Sequence, residues 1–221
     1  MTDTCVCVFA KAPVNGQVKT RLLPVLKEQQ ACLVHENLVS HCLSQVQSID
    51  WQTQLWSTDI AHPYIKACAE EHSISLHAQR GVELGERMDF AVTQSLDSFK
   101  YVIIIGTDCP SIDAAMINET IGKLKAGFDV VLGPAEDGGY VLIGLSLVAE
   151  SLFNNMKWGT DQVLDSTRSR LRKEGLNWFE LSTQRDIDRP EDLHYLQETY
   201  PALLHSIGRS LLFPQSDQEP G

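Results

Sequence analysis

A short cationic segment follows the first apolar run of the chain, in the stretch VFAKAPVNGQVKTRL at residues 8–22. It contains Lys11, Lys19 and Arg21 together with Gly16, and it has no acidic residue. Glycine lets backbone N–H groups come close to an anion, and lysine and arginine side chains add positive charge. The segment indicates a cradle for a nucleotide or a diphosphate. The alternative is an ordinary solvated loop with surface cations.

Two acidic segments could supply ligands for a metal ion. Asp108, in IIIGTDCPSID, directly follows an apolar strand pattern, where a carboxylate can bind Mg²⁺ or Mn²⁺. In RDIDRPEDL, Asp186 and Asp188 share one side if the backbone is extended, and their repulsion favours a cation between them. The structural alternatives are a turn before Pro110 for Asp108 and the cap of a helix for Asp188. Asp113 is predicted to cap the helix that follows.

An Asp-Gly-Gly turn lies between two strand patterns in AEDGGYVLIG, at residues 135–144. A tight hairpin needs residues that accept positive φ, so a purely structural turn is one interpretation. Glu136 and Asp137 could instead act as a general base or position an acceptor hydroxyl. The pattern alone does not choose between these roles.

Two weaker signals accompany these segments. LGERM places Arg87 at the start of a helix, where it could contact a phosphate or pair with Glu83. KWGTD offers Thr160 as a helix N-cap, and Trp158 as either a core residue or a stacking surface.

Strand patterns and helix patterns alternate along the chain and must position these residues. The strand patterns cover residues 5–10, 53–57, 74–78, 101–106, 129–133, 140–145 and 177–181, and the helix patterns cover about 28–48, 61–72, 84–99, 113–126, 160–174 and 190–199. Alternation of this kind predicts an α/β fold with a mainly parallel sheet and helices on both faces. The connection PAEDGG is too short for a parallel crossover, so one antiparallel pair and a mixed sheet are expected.

Composition limits the classes of protein that this chain could belong to. Its 221 residues, 43% of them hydrophobic, predict one domain at 1–212 and a disordered tail at 213–221. A formal net charge of −11 argues against nucleic acids and anionic membranes as partners. No apolar run approaches the ~20 residues of a membrane span, and there is no leader pattern. The six scattered cysteines favour neither a zinc site nor a disulfide framework, so a cytoplasmic protein is expected.

The order of several motifs resembles that of a bacterial enzyme family over about residues 5–195. These motifs are FAKAPVNGQVKTRL, LGERM, GTDCPS, GPAEDGGYVLIGL, WGT and DIDRPEDL. The chain is similar to the nucleotide-diphospho-sugar transferase-like glycosyltransferases associated with arsenosugar biosynthesis. That resemblance implies a GT-A type αβα sandwich, related to the nucleotidyltransferases that make molybdopterin dinucleotides and guanylyl-activated phospholactate. The chain departs from the pattern at Asn15, where proline is common, and at Thr107-Asp108-Cys109, where many GT-A enzymes have Asp-x-Asp.

The residue patterns and the resemblance together predict a role for each motif. Nucleotide contacts fall on Ala10, Lys11, Gly16, Lys19, Arg21, Arg87 and Asp108, with Asp108 and Asp188 as ligands of Mg²⁺ or Mn²⁺. Acceptor contacts fall on Gly138, Gly139, Trp158 and Thr160, and Asp137 or Glu136 is the candidate base.

These assignments predict a glycosyltransferase that moves a sugar from a nucleotide-diphosphate donor to a small-molecule acceptor. One alternative is a nucleotidyltransferase that releases pyrophosphate from a nucleoside triphosphate. A second is a nucleotide-binding protein without catalytic activity.

Overall fold

The computed structural model describes residues 2–207, and within that range seven strands form a single sheet. The strands are β1 (Thr4–Ala10), β2 (Gln52–Ser57), β3 (Ser75–Ala78), β4 (Tyr101–Gly106), β5 (Val130–Pro134), β6 (Tyr140–Leu145) and β7 (Trp178–Glu180). The helices are α1 (Glu28–Gln45), α2 (Pro63–Glu71), α3 (Leu84–Leu96), α4 (Ala114–Lys125), α5 (Val163–Glu174) and α6 (Asp192–Thr199). Short 3-10 segments lie at Thr20–Leu22, Glu150–Leu152 and Pro201–Ile207.

The sheet is mixed and mainly parallel, as the sequence predicts. Its strand order is β3-β2-β1-β4-β6-β5-β7, and β6 runs antiparallel to both of its neighbours, β4 and β5. The other pairs are parallel. The antiparallel pairing of β5 and β6 across PAEDGG confirms the hairpin interpretation of that connection.

Helices cover both faces of the sheet, which explains the nearly continuous apolar strands. In β4, Ile103 and Ile105 pack on the face covered by α1, α2 and α4, whereas Val102 and Ile104 pack on the face covered by α3 and α5. Successive side chains of a strand point to opposite faces, so an apolar run such as YVIIIG is buried throughout.

A third apolar cluster brings the two ends of the described chain together. Leu22 and Leu26, which follow β1, pack with Leu38 of α1, Ile187 and Leu196 of α6. This packing carries the cationic segment and the DID motif to the same end of the sheet.

The helix starts confirm one predicted cap and correct two others. Asp113 caps α4 by accepting a hydrogen bond from the N–H of Met116, at 2.9 Å. Thr160 is not the N-cap of α5, which begins at Val163. Asp188 does not cap α6: the carboxylate of Asp192 accepts the N–H groups of Asp188 and Arg189, at 3.0 and 2.7 Å.

Within residues 2–207, none of the helices combines the length and the apolar character that crossing a bilayer requires. The predicted tail at 213–221 lies outside the described residues.

Candidate functional site

Two adjoining cavities open at the carboxyl ends of β1 and β4, the edge where open α/β sheets collect ligands. The first, here called the basic cavity, has a volume of about 600 Å³. Its lining includes the groups that are cationic or can become so: Lys11, Lys19, Arg21, His35 and Arg87. The second, here called the acidic cavity, has a volume of about 300 Å³ and is lined by Asp108, Asp137, Asp186 and Asp188. Arg21, Asp108 and Asp188 line both cavities and form the boundary between them.

Lys19 joins three distant segments at this boundary. Its side chain is only 3% exposed, and its Nζ atom lies 2.6 Å from Oδ1 of Asp108. Nζ also donates a hydrogen bond to the carbonyl of Ile187, whose own N–H donates to the carbonyl of Asp108 at 2.8 Å. An ammonium group is buried at acceptable cost only when it is paired and hydrogen-bonded in this way.

Arg21 makes the second ion pair of the boundary, with Oδ2 of Asp188. The Arg21 side chain is about half exposed, which leaves its guanidinium accessible from both cavities. Each predicted metal ligand, Asp108 and Asp188, therefore faces a cation from the segment after β1.

The protonation states of Asp108 and His35 follow from their surroundings. Desolvation raises the pKa of Asp108, but the positive charge of Lys19 and its hydrogen bond, with a further contribution from the charge of Lys11, more than offset it, so the pKa of Asp108 lies below its ordinary value. Desolvation lowers the pKa of His35, which favours the neutral imidazole. The ring then donates from Nε2 to the carbonyl of Lys11, at 2.9 Å, and holds the start of the cationic segment.

Asp186 is a carboxylate of the acidic cavity whose pKa is raised by its surroundings. Desolvation, followed by the negative charge of Asp137, raises its pKa to about 6, and Asp108 and Asp188 add to the effect. Four carboxylates that repel one another create a region where positive charge is favourable.

The residues of this region fit a hard divalent cation that arrives with a phosphate group. Within residues 2–207, no group of three or more His, Cys, Asp or Glu side chains is arranged as a ready metal cage. Mg²⁺ is commonly held by one or two carboxylates plus substrate phosphates, which does not require such a cage. Asp108 and Asp188 supply carboxylate oxygens at the boundary of the two cavities, and Asp186 supplies a third carboxylate in the acidic cavity.

The Asp-Gly-Gly connection forms one wall of the acidic cavity. Gly138 has a φ of +87°, and a Cβ added there would lie 2.8 Å from the carbonyl carbon of Asp161. The carbonyl of Gly138 accepts the N–H of Leu164 at 2.9 Å, which joins the turn to α5. Asp137 lines the cavity and accepts the N–H of Gly139 at 2.9 Å. The connection is thus both a structural turn and a cavity wall.

The remaining predicted site residues divide into those that line a cavity and those that do not. Ala10 and Arg87 line the basic cavity, and Gly139, Trp158 and Thr160 line the acidic one. The Arg87 guanidinium donates to the carbonyls of Gly81 and Val82, both at 3.0 Å.

Three predicted residues lie outside the lining of both cavities: Gly16, Glu136 and Gly138. A Cβ at Gly16 would be 3.2 Å from the carboxylate of Glu28, and Gly138 packs behind the wall. The Glu136 carboxylate lies 4.0 Å from Nε of Arg185, away from the cavities.

The structure also brings in Gln79, which the sequence patterns did not assign to a role, and shows the surroundings of Asp186, which they gave only as a possible metal ligand. Gln79 lines the basic cavity, and its Nε2 donates to the carbonyl of Trp56 at 2.9 Å. Asp186 was visible as half of the DID pair, but its charged surroundings come from segments far away in sequence. No motif distinguishes Gln79, which simply follows β3.

Several solved structures share this fold. A protein from Desulfovibrio desulfuricans G20, described as a candidate nucleotide-diphospho-sugar transferase, is 26% identical, with a TM-score of 0.85 over 96% of this chain and 97% of its own. A cytidylyltransferase from Leptospira borgpetersenii is 13% identical, with a TM-score of 0.59 over 96% of this chain and 90% of its own. Glucosyl-3-phosphoglycerate synthase from Mycobacterium tuberculosis, in complex with Mn²⁺, UDP and glucosyl-3-phosphoglycerate, is 13% identical, with a TM-score of 0.51 over 93% of this chain and 79% of its own. No curated protein sequence matches the chain.

These neighbours agree with the GT-A type architecture that the motifs predict, and the first of them matches it over nearly the full length of both chains. A family profile matches residues 42–160, more than half of the sequence. The chain therefore belongs to the bacterial family described as "Uncharacterized protein conserved in bacteria (DUF2064)".

Proposed function

We propose that this protein is a transferase that acts on a nucleotide-diphosphate sugar and delivers the sugar to a small-molecule acceptor. The observation that carries the proposal is the contact of a basic and an acidic cavity at the boundary formed by Lys19, Arg21, Asp108 and Asp188. The basic cavity suits the charged diphosphate of such a donor, and the adjoining acidic cavity leaves room for the reacting end of the sugar and for the acceptor. The similarity to the Desulfovibrio protein supports the same class of donor.

The basic cavity would hold the nucleotide diphosphate. Lys11, Lys19, Arg21 and Arg87 line it, and together they offset the charge of two phosphate groups. Ala10 supplies backbone at the strand end, and Gly16 keeps the segment close to α1 beside Glu28.

Asp108 and Asp188, with Asp186 beside them, are the residues that would hold Mg²⁺ or Mn²⁺. When bound, the ion would supply Lewis acidity toward the phosphate oxygens. The complex of the structurally similar glucosyl-3-phosphoglycerate synthase contains Mn²⁺.

Transfer then requires few groups of this chain. The acceptor hydroxyl attacks the anomeric carbon, the bond from that carbon to the diphosphate oxygen breaks, and the nucleoside diphosphate leaves with the electron pair. Lys19 and Arg21 stabilise the growing negative charge, an effect worth ~3–4 kcal/mol for one well-placed donor. Asp137 is the candidate acceptor of the hydroxyl proton, because it lines the acidic cavity whereas Glu136 does not.

A nucleotidyltransferase is the second candidate, favoured by the similarity to the Leptospira cytidylyltransferase. In that reaction a substrate phosphate attacks the α-phosphorus of a nucleoside triphosphate, and pyrophosphate leaves. The finer assignments, to arsenosugar biosynthesis and to the cytoplasm, remain predictions, as does the kinship with the molybdopterin and phospholactate enzymes.

Product analysis tests the proposal. The purified protein is incubated with Mg²⁺ or Mn²⁺, a mixture of acceptor alcohols and either nucleotide sugars or nucleoside triphosphates. Release of nucleoside diphosphate from a sugar donor supports the proposal, and release of pyrophosphate from a triphosphate supports the second candidate. Nucleotide binding without either product would favour a non-catalytic binding protein.

A pair of variants provides the control for this experiment. Asp108→Asn removes a boundary carboxylate and is expected to reduce turnover by about 10²-fold or more while the protein stays folded. Asp97→Asn changes an exposed aspartate outside both cavity linings and should leave turnover unchanged. Equal activity of the two variants would contradict the assignment of Asp108.

A further inference from the structure

The acidic cavity indicates what kind of acceptor the enzyme takes, an inference that rests on the proposed function. Its lining carries four carboxylates, from Asp108, Asp137, Asp186 and Asp188, and a single guanidinium, from Arg21. That guanidinium is already paired with Asp188. Asp108 is likewise paired with Lys19, so Asp137 and Asp186 are the two carboxylates of this wall that have no ion pair within residues 2–207.

The other wall of the cavity is apolar. Phe9, Leu84, Met88 and Val163 line it beside two aromatic rings, Tyr140 and Trp158. The hydroxyl of Tyr140 and Nε1 of Trp158 are buried, so the accessible parts of both side chains are ring carbons. The rings, 6.2 Å apart in an edge-on contact, therefore offer carbon surface rather than polar groups to an occupant.

The two walls together favour acceptors of a particular charge and shape. Like charges in one partly desolvated cavity repel, so a phosphate or carboxylate on the acceptor would be unfavourable beside Asp137 and Asp186. Aromatic faces and carboxylates both attract cations, and the aromatic faces also accept uncharged apolar groups.

We propose that the acceptor is an alcohol without negative charge whose apolar body lies against Tyr140 and Trp158, and that a positively charged group on it strengthens binding. Phosphorylated and carboxylated alcohols are rejected at this cavity. The chain thus differs in acceptor class from its structural neighbour whose complex contains glucosyl-3-phosphoglycerate.

Three commercial alcohols of similar size test the proposal. Phenylalaninol is cationic, 3-phenyl-1-propanol is neutral and 3-phenyllactate is anionic, and their dissociation constants can be measured by saturation-transfer NMR on the full chain. We expect phenylalaninol to bind at least 10-fold more tightly than 3-phenyllactate, with the neutral alcohol between them. Raising the ionic strength should narrow this difference, because it screens the charges.

Two variants test whether the carboxylates of the acidic cavity cause the ranking of the three dissociation constants. In the double variant Asp137→Asn, Asp186→Asn, the dissociation constants of the cationic and the anionic probe should differ by less than 3-fold. Asparagine keeps the side-chain oxygen that accepts the N–H of Gly139 from position 137, so the turn is expected to survive. Asp97→Asn, at an exposed position outside the lining, should keep the full difference.

Three outcomes would overturn the inference: equal or tighter binding of 3-phenyllactate, an unchanged ranking in the double variant, or no binding of any of the three probes. A separate titration with UDP, CDP and GDP in the presence of Mg²⁺ tests the proposed function. If no nucleotide binds but the ranking holds, the proposed function fails and the charge preference of the cavity stands. If a nucleotide binds and the anion is preferred, the inference alone fails.

Discussion

At the scale of single residues, Lys19 makes the contacts that join the separate segments of the candidate site. Its φ of 49° lies in the left-handed region, which costs a residue with a Cβ about 1 kcal/mol or more. The ion pair with Asp108 and the hydrogen bond to the carbonyl of Ile187 hold it there. A strained, buried and paired lysine at a cavity wall is typical of a ligand clamp.

Lys19→Met is expected to weaken binding of nucleoside diphosphates by at least 10-fold, because the variant loses the buried positive charge of the basic cavity. It should also lower the free energy of unfolding by about 1–2 kcal/mol, since Asp108 loses its partner but remains half exposed. Calorimetric titration and urea denaturation measure the two effects.

The double variant Lys19→Met, Asp108→Asn separates binding from stability. Removing both charges should restore most of the lost stability without restoring nucleotide affinity. Lys66→Met, on the exposed surface of α2, is the matched control and should change neither quantity. Recovery of nucleotide binding in the double variant would contradict the assignment of Lys19.

At the scale of elements, the β5–β6 connection shows how a turn can serve two purposes. Its length and glycines determine the hairpin, and its packing on the segment before α5 determines where Asp137 lies. The contact between Gly138 and Asp161 is what makes the turn part of a cavity wall.

Gly138→Ala is expected to destabilise the protein by about 2–4 kcal/mol. About 1 kcal/mol comes from placing a Cβ at positive φ, and a further 1–3 kcal/mol comes from the clash with the carbonyl of Asp161. Gly175→Ala is the control: Gly175 has a φ of +68°, but a Cβ there would meet no atom within 4 Å. Its cost should be only about 1 kcal/mol, measured by chemical denaturation. Equal costs for the two variants would show that the close approach to Asp161 does not matter.

At the scale of the whole molecule, ligand and metal binding should be coupled. The cationic segment follows β1, Asp108 follows β4, and Asp188 lies more than 160 residues after Lys19, so one ligand at their boundary holds together both ends of the described chain. Binding to the folded state alone raises stability by about 2.7 kcal/mol at a ligand concentration 100 times the dissociation constant.

A nucleoside diphosphate with Mg²⁺ or Mn²⁺ is therefore expected to raise the melting temperature by about 5–10 °C at such a concentration. Either component alone should raise it less, because the phosphates complete the coordination of the ion. Differential scanning fluorimetry with and without EDTA measures the shift. In the double variant Asp108→Asn, Asp188→Asn, the nucleotide and the ion should no longer strengthen each other's effect. An undiminished shift in the melting temperature of that variant would contradict the proposed metal ligands.

The sequence by itself determined the fold class and the strands. Runs such as YVIIIG are apolar on both faces and alternate with amphipathic helices. This pattern is local in the sequence, and the folded chain has strands where it predicts them. The length of PAEDGG was enough to predict the antiparallel strand pair. The helix start at Thr160 was predicted wrongly, and the alternative role of Asp188 as a helix cap is excluded, because several polar residues near a helix start can compete for its N–H groups and tertiary contacts select among them.

Only the tertiary structure decided how the candidate site is divided. Motifs in the sequence indicated Lys19, Asp108 and Asp188 singly, but their pairing depends on Leu22 and Ile187 sharing one apolar cluster. The raised pKa of Asp186 and the orientation of Glu136 toward Arg185 likewise depend on charges contributed by distant segments. Electrostatic interactions act through space, so the separation into a basic and an acidic cavity appears only when the chain is folded.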